Sequence, residues 1–277
     1  MFVTNDDRVY GLGYNGNGRL GLGHNILINE PKLIDELCGK QVNKFIFGNT
    51  FGLCLTSDQQ VYSWGSNEFK QLGRTTSASS SSSSSNDEKY CKPAIIEFFT
   101  DKFISDIQCG KDYSLALNSD GTTVYGWGDN SRGQCGCGQQ SKCIETPTRV
   151  IFPDNNTNQN IVIKSIYCHT LCSFALTRDG FVYSWGYNQS NRFGYTYEFS
   201  FISGLFSSKQ YLTEPQLVSD LSNIKSIANY WTNKHFTNVI YFLTNTGQLY
   251  ETGVIKKIVS TSDRLILINV DTIILLI

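Results

Sequence analysis

Apolar and polar residues alternate along this chain in short runs, each closed by a turn signal. The run Val61-Tyr62-Ser63-Trp64-Gly65 places Tyr62 and Trp64 on one face of an extended strand and Val61 and Ser63 on the other. Related segments stand at Val9-Tyr10-Gly11-Leu12-Gly13, Val124-Tyr125-Gly126-Trp127-Gly128, Val182-Tyr183-Ser184-Trp185-Gly186 and Leu249-Tyr250-Glu251-Thr252-Gly253. In the first four, an Asn stands two residues after the closing Gly, at Asn15, Asn67, Asn130 and Asn188. Each is followed by Arg19, Gln71, Gln134 or Arg192, then by Gly21, Gly73, Gly136 or Gly194, and further on by Pro31, Pro93, Pro147 or Pro215. So many shared positions at fixed offsets define a repeated module of about 50 residues.

Each module reads as four short strands. With the Pro taken to open the module, the strands of the third copy are 94–99, 103–109, 114–118 and 123–128. The turn Asn118-Ser119-Asp120-Gly121 recurs as Thr177-Arg178-Asp179-Gly180 and Thr244-Asn245-Thr246-Gly247. On the same frame Phe2-Val3-Thr4 is the end of a third strand. One small sheet cannot cover a face that carries a Tyr and a Trp, whereas a neighbouring module stacked on it can. Radial stacking of such sheets is a β-propeller, so the fold class is all-β, with four-stranded blades over residues 1–277 as a single domain. Tyr62, Trp64, Gly65, Asn67, Trp127, Gly128, Asn130, Trp185, Gly186 and Asn188 are read as structural: the rings fill blade interfaces, the glycines allow sharp turns, and the Asn side chains bond their own turns.

The sequence Trp127-Gly128-x-Asn130-x-x-x-Gln134-x-Gly136, after a Val-Tyr strand and preceded by Gly110 and Leu115-Ala116-Leu117, resembles the regulator of chromosome condensation repeat. The resemblance covers most of residues 1–253. It implies a propeller and, for function, a protein-interaction platform. A guanine-nucleotide exchange factor for a Ran-like or other small GTPase is the alternative; repeat domains of ubiquitin ligases and plant photoreceptors belong to the same family. Seven blades are usual there. Here four repeats are strong, and the fifth has Thr252 for Trp, Ile255 for Asn, and no Gln-x-Gly. Residues 258–277 keep only a strand rhythm, so five or six blades are expected, with an incomplete ring as an alternative. Where the family's third strand often begins with His, this chain has Phe51, Tyr113, Cys172 and Val239, and the exchange factor's basic tail has no counterpart, which weighs against Ran exchange.

Two modules carry insertions at one point. Residues 74–90 include serines 79 to 85 and are expected to be disordered. Residues 195–212 differ, because Tyr195, Tyr197, Phe199 and Phe201 alternate with polar residues and predict a strand with one aromatic face. That face either packs on its own blade or docks a protein partner, and these four aromatics are the candidate partner-binding residues. Both insertions are placed after the module's fourth strand, on one side of the ring.

Composition narrows the chemistry. The 277 residues carry 23 Lys and Arg against 24 Asp and Glu, a formal net charge of −1, which argues against direct nucleic-acid binding through bulk electrostatics. The apolar stretch 265–277 is too short to span a membrane and includes Asp271. Residues 1–7 lack a signal-peptide pattern, so the nine cysteines are read as reduced thiols of a cytoplasmic or nuclear protein. Cys135, Cys137 and Cys143, with Cys168, His169 and Cys172 further on, match no tight zinc spacing; Cys135 aligns with Leu20 and Leu72 and is assigned to the core. The glycines end strands instead of opening helices, so no phosphate loop is read, and neither catalytic residues nor a cofactor is expected.

Overall fold

A computed structural model describes residues 1–74, 90–139, 141–153, 161–188, 211–219, 221–231, 238–251, 256–257, 265–269 and 272–275. Four antiparallel sheets have four strands each. The first of them comprises β4 (Val42–Phe47), β5 (Phe51–Thr56), β6 (Val61–Gly65) and β7 (Ala94–Ile95). β8 (Ile104–Cys109), β9 (Tyr113–Asn118), β10 (Val124–Asp129) and β11 (Cys143–Arg149) form the next. They are followed by β12 (Ile163–His169), β13 (Cys172–Thr177), β14 (Val182–Tyr187) and β15 (Tyr211–Leu217), then by β16 (Ile224–Trp231), β17 (Asn238–Thr244), β18 (Leu249–Glu251) and β19 (Lys256–Lys257). Ahead of these stands a three-stranded sheet of β1 (Phe2–Val3), β2 (Val9–Gly13) and β3 (Ile28–Leu33). β20 (Leu265–Asn269) and β21 (Thr272–Leu275) pair with each other. The architecture is a β-propeller of four-stranded blades in which, among the described residues, the sheets do not close a ring.

Within a blade the strands follow chain order from the centre outward, and the innermost strands β4, β8 and β12 adjoin one another. This corrects the frame of the module by one strand. Ala94–Ile95 pairs with β6 of the preceding blade and not with the strand that follows it, so the Pro-bearing segment ends a blade instead of opening one. Residues 94–99 are not one strand either, because Glu97–Phe99 forms a 3-10 turn that redirects the chain to the centre of the next blade. The turn is anchored by a bond that recurs in four modules. Ile34 N, Ile96 N, Val150 N and Val218 N each donate, at 2.8 Å, to the carbonyl of the Val that opens the third strand. Pro31, Pro147 and Pro215 thus lie in outermost strands, where a missing N–H costs no ladder bond and discourages edge-to-edge pairing. By the same shift, β1 is the second strand of its module and not the third.

The core lies between blades. Trp64, Trp127 and Trp185 are fully buried, together with Phe51, Tyr113, Phe99 and Phe174. Gly128 shows why a glycine must follow the Trp. It has φ +99°, and a Cβ there would lie 2.7 Å from both the Asp112 carbonyl oxygen and Tyr113 Cα. The ladder between β10 and β11 shifts register at this point.

Candidate functional site

The repeat motif builds a polar clip across three blade boundaries. Trp127 Nε1 donates to the carbonyl of Gln71 in the preceding blade at 2.9 Å, and Trp185 Nε1 to that of Gln134 at 2.9 Å. Trp64 Nε1 donates to the Arg19 carbonyl at 2.8 Å. The same Gln134 oxygen accepts a second bond from Ser173 Oγ at 2.8 Å, so one buried carbonyl has both lone pairs used. Gly136 follows two residues later because the indole lies against it: a Cβ there would sit 2.7 Å from Trp185 Nε1.

The Asn residues close the loop that presents these carbonyls. Leu20 N donates to Asn15 Oδ1 (2.8 Å), Leu72 N to Asn67 Oδ1 (3.1 Å) and Cys135 N to Asn130 Oδ1 (3.1 Å). Gln134 braces its loop from within, accepting from Arg132 N (2.8 Å) and donating through Nε2 to Asp129 Oδ2 (2.8 Å). In the preceding module Ser66 stands where Asp129 does, and Gln71 Nε2 is buried without a hydrogen-bond partner. Tyr62 is half-buried, whereas Gly65, Gly128, Gly186 and Asn188 are buried at the same boundaries. Tyr113, at the position where the family often has His, bonds within the core: its hydroxyl donates to the Cys172 carbonyl (2.6 Å) and lies 2.9 Å from Ser173 Oγ.

The connections from third to fourth strands emerge together at one end of the blades. Both insertions belong to these connections, between β6 and β7 and between β14 and β15, not after a fourth strand. Two bonds link neighbouring modules at this rim: Gly23 N donates to Cys91 O (2.9 Å) and Gly138 N to Thr213 O (3.0 Å). Residues 75–89 and 189–210 lie outside the described residues, and with them Tyr195, Tyr197, Phe199 and Phe201. At the bases of these segments, Arg74 lies over the ring of Tyr90 at 5.7 Å, and Tyr187 pairs with Tyr211.

Pattern reading missed the apolar end of the first sheet. Tyr14, Ile26 and Leu27 are exposed beside the Gly13–Ile28 rung, and Asn15 Nδ2 holds their loop through the His24 carbonyl at 2.7 Å. Tyr14 stands at a position the repeat leaves variable, held by Ser66, Asp129 and Tyr187 in the sister modules. On the same rim Asp112 and Asp129 are buried neighbours. Burial holds the Asp112 carboxyl above the ordinary carboxylate range; Lys111 opposes that shift, and Asp129 and Glu68 reinforce it.

Among the described residues, no group of three or more His, Cys, Asp and Glu side chains is placed to hold a metal ion. Cys135 is buried with its Sγ 3.4 Å from the Asp129 carbonyl, and Cys137 is buried with its Sγ 3.5 Å from the Cys135 carbonyl. Burial pushes the Cys135 thiol well up and that of Cys137 to about 12, so both act as small core side chains. No helix among the described residues is long and apolar enough to cross a membrane.

The blade geometry, the Trp–carbonyl clip and the Asn-closed loop define a β-propeller of the chromosome-condensation-regulator type. The profile of the regulator of chromosome condensation (RCC1) repeat matches residues 6–55, 58–117 and 122–176, and the chain belongs to that family. It is 27% identical over 254 residues to the human E3 ubiquitin-protein ligase HERC2, covering 91% of this chain and 5% of HERC2. With the serine/threonine-protein kinase Nek9 of Xenopus laevis it shares 29% identity over 219 residues, 76% of this chain and 21% of the kinase. In three dimensions it is similar to Prp20p of Saccharomyces cerevisiae, with a TM-score of 0.70 at 20% identity, over 94% of this chain and 61% of Prp20p. The chain therefore spans only a small part of these curated relatives and less than two thirds of the solved structure.

Proposed function

We propose that the chain is a protein-interaction platform, without chemistry of its own, that docks a protein partner on the rim of third-to-fourth-strand connections. One observation carries this reading. The polar and aromatic groups that recur in the repeat are used in holding blades together, whereas the rim differs from module to module and exposes Tyr14, Ile26 and Leu27. Side chains that repeat serve the ring, and those that break the repeat are available for recognition. Tyr195, Tyr197, Phe199 and Phe201 fall in sequence between β14 and β15 and are the second group of candidate contacts, aromatics being common at the centres of interfaces. Nine cysteines outside any disulfide suit a reducing compartment, the cytoplasm or nucleus.

The test is capture of partners by three purified forms: the intact chain, a Tyr14→Ser/Ile26→Ser/Leu27→Ser variant, and a variant lacking 196–212. A partner held by the intact chain and released by either folded variant is expected; a partner held equally by all three contradicts a rim site. Exchange-factor activity is the competing reading. It draws on the fold likeness to Prp20p, whose structure was reported together with its binding properties to Gsp1p and histones. Accelerated release of nucleotide from a panel of small GTPases by the intact chain would favour exchange over passive docking.

A further inference from the structure

The residue after the motif's second Gly opens the connection from third to fourth strand. In the first module it is Leu22, half-buried against the apolar cluster of Val9, Ile34 and Leu37. In the third it is Cys137, buried with its Sγ 3.6 Å from the Thr148 carbonyl. The second module puts Arg74 at this place. A guanidinium keeps its charge, so its burial calls for an acceptor. Arg74 Nε and Nη2 are buried, yet neither has a hydrogen-bond partner among the described residues. Burial holds the Arg74 pKa below its ordinary value; the Tyr90 phenol opposes that shift, and no carboxylate among the described residues contributes. The lysines of the same connection are served differently, Lys70 by Glu145 at 3.6 Å and Lys92 by Glu36 at 2.7 Å.

The identity of the two unmet groups points to a ligand. Nε–H and Nη2–H lie side by side on one edge of a guanidinium and form the fork that gives parallel bonds to two oxygens of one oxyanion. The Tyr90 ring lies 5.7 Å from Arg74 Cζ and covers a face of the plane, which leaves the edge for that role. We propose that Arg74, braced by Tyr90, is a receptor for a phosphate monoester at the base of the Ser-rich insertion.

The chain carries a source of that group. Serines 79 to 85 begin five residues after Arg74 and end five before Tyr90. Five residues span at most roughly 17 Å, so a phosphate on this run is within reach of the fork. A serine kinase would supply it by moving the γ-phosphoryl of ATP to a Ser Oγ, the β–γ anhydride breaking, the ester forming, and ADP and the hydroxyl proton leaving. Because the fork is enclosed, chain that departs from its own place reaches it most directly. Gly73, next to Arg74, lies against the Trp127 indole, so a bound phosphate ties the insertion to the rim beside a blade clip. The receptor is separate from the patch at Tyr14, Ile26 and Leu27, and its test uses no protein partner.

The full chain, phosphorylated within 79–85 by a serine kinase and ATP and mapped by mass spectrometry, is titrated by phosphorus NMR. At least one phosphate is expected to have its second pKa lowered from the ordinary value of about 6, because the guanidinium favours the dianion. Arg74→Leu, a residue that Leu22 shows the place accepts, is expected to return every phosphate to the ordinary value; Arg74→Lys keeps the charge without the fork and should fall between. A second arm measures the melting temperature of the unphosphorylated chain in rising inorganic phosphate at constant ionic strength. A rise in the parent that Arg74→Leu abolishes, with ordinary phosphoserine titration in both, assigns the receptor to phosphate carried by another molecule. Phosphoserine titrations and phosphate-dependent melting that are both the same in parent and Arg74→Leu overturn the proposal.

Discussion

At the scale of single residues, the modules differ most where one copy lacks a partner that another copy has. Gln134 Nε2 donates to Asp129, whereas the matching Gln71 Nε2 is buried with nothing to bond, because residue 66 is Ser. Ser66→Asp supplies the missing acceptor and is expected to stabilise the fold by about 1 kcal/mol. Urea denaturation measures it, and a destabilised variant would show that the loop cannot take up the Gln134–Asp129 arrangement. Asp112 is the converse case, a buried carboxyl whose native pKa is raised above its ordinary 3.8 by burial first, with Asp129 and Glu68 adding to it. The native state therefore holds this proton more tightly than the unfolded chain. Its contribution to stability is fully present below the ordinary value and is lost as pH rises through the raised one. Asp112→Asn removes that dependence, so stability measured between about pH 4 and pH 7 should fall less with rising pH than in the parent. Identical pH profiles would mean that Asp112 does not titrate differently on folding.

At the scale of elements, the unit that matters is the boundary between two blades. A buried indole N–H on one sheet meets a buried carbonyl on the sheet before it, and the indole N–H becomes a costly orphan if the carbonyl is displaced. Trp127→Phe keeps most of the apolar area but loses the N–H, and it leaves the Gln71 carbonyl with a 3.4 Å bond from Ser114 Oγ. The expected loss is roughly 1–3 kcal/mol by urea denaturation. A cost below about 0.3 kcal/mol would show that area alone holds the boundary. The strands themselves were readable in advance, because Tyr-x-Trp-Gly and the Asn-x-Asp-Gly type of turn act over neighbouring residues. Their grouping into blades was not. Ala94–Ile95 stands nearer in sequence to β8 than to β6, and its pairing with β6 follows from a hairpin that spans the Ser-rich insertion.

At the scale of the whole molecule, burial is distributed around the ring instead of gathered in one centre. The thiols report on it. Cys54, Cys91, Cys135, Cys137, Cys168 and Cys172 are buried, and burial pushes Cys54 up to about 12 and Cys168 well above its ordinary value. Labelling of the native protein at mildly alkaline pH should reach Cys38 and Cys143 first, with the buried six reacting only as the blades separate. Rapid labelling of Cys135 or Cys168 in the folded chain would contradict the boundary packing. The candidate docking surface also exists only at this scale. Tyr14, Ile26 and Leu27 are unremarkable apolar residues along the chain, and they become a rim feature because adjacent modules place their connections at one end.

Periodicity along the chain was sufficient to establish the all-β class, the repeated module and the family. Each of these depends on spacing within about 50 residues, where strand alternation and turn chemistry are local. The folded structure was needed to show which strand completes which sheet, which carbonyl receives each indole N–H, why Gln71 is left without a partner, and which aromatics face water. Those properties belong to pairs of groups that lie far apart in sequence and meet only when one sheet is laid against the next, so no residue spacing encodes them.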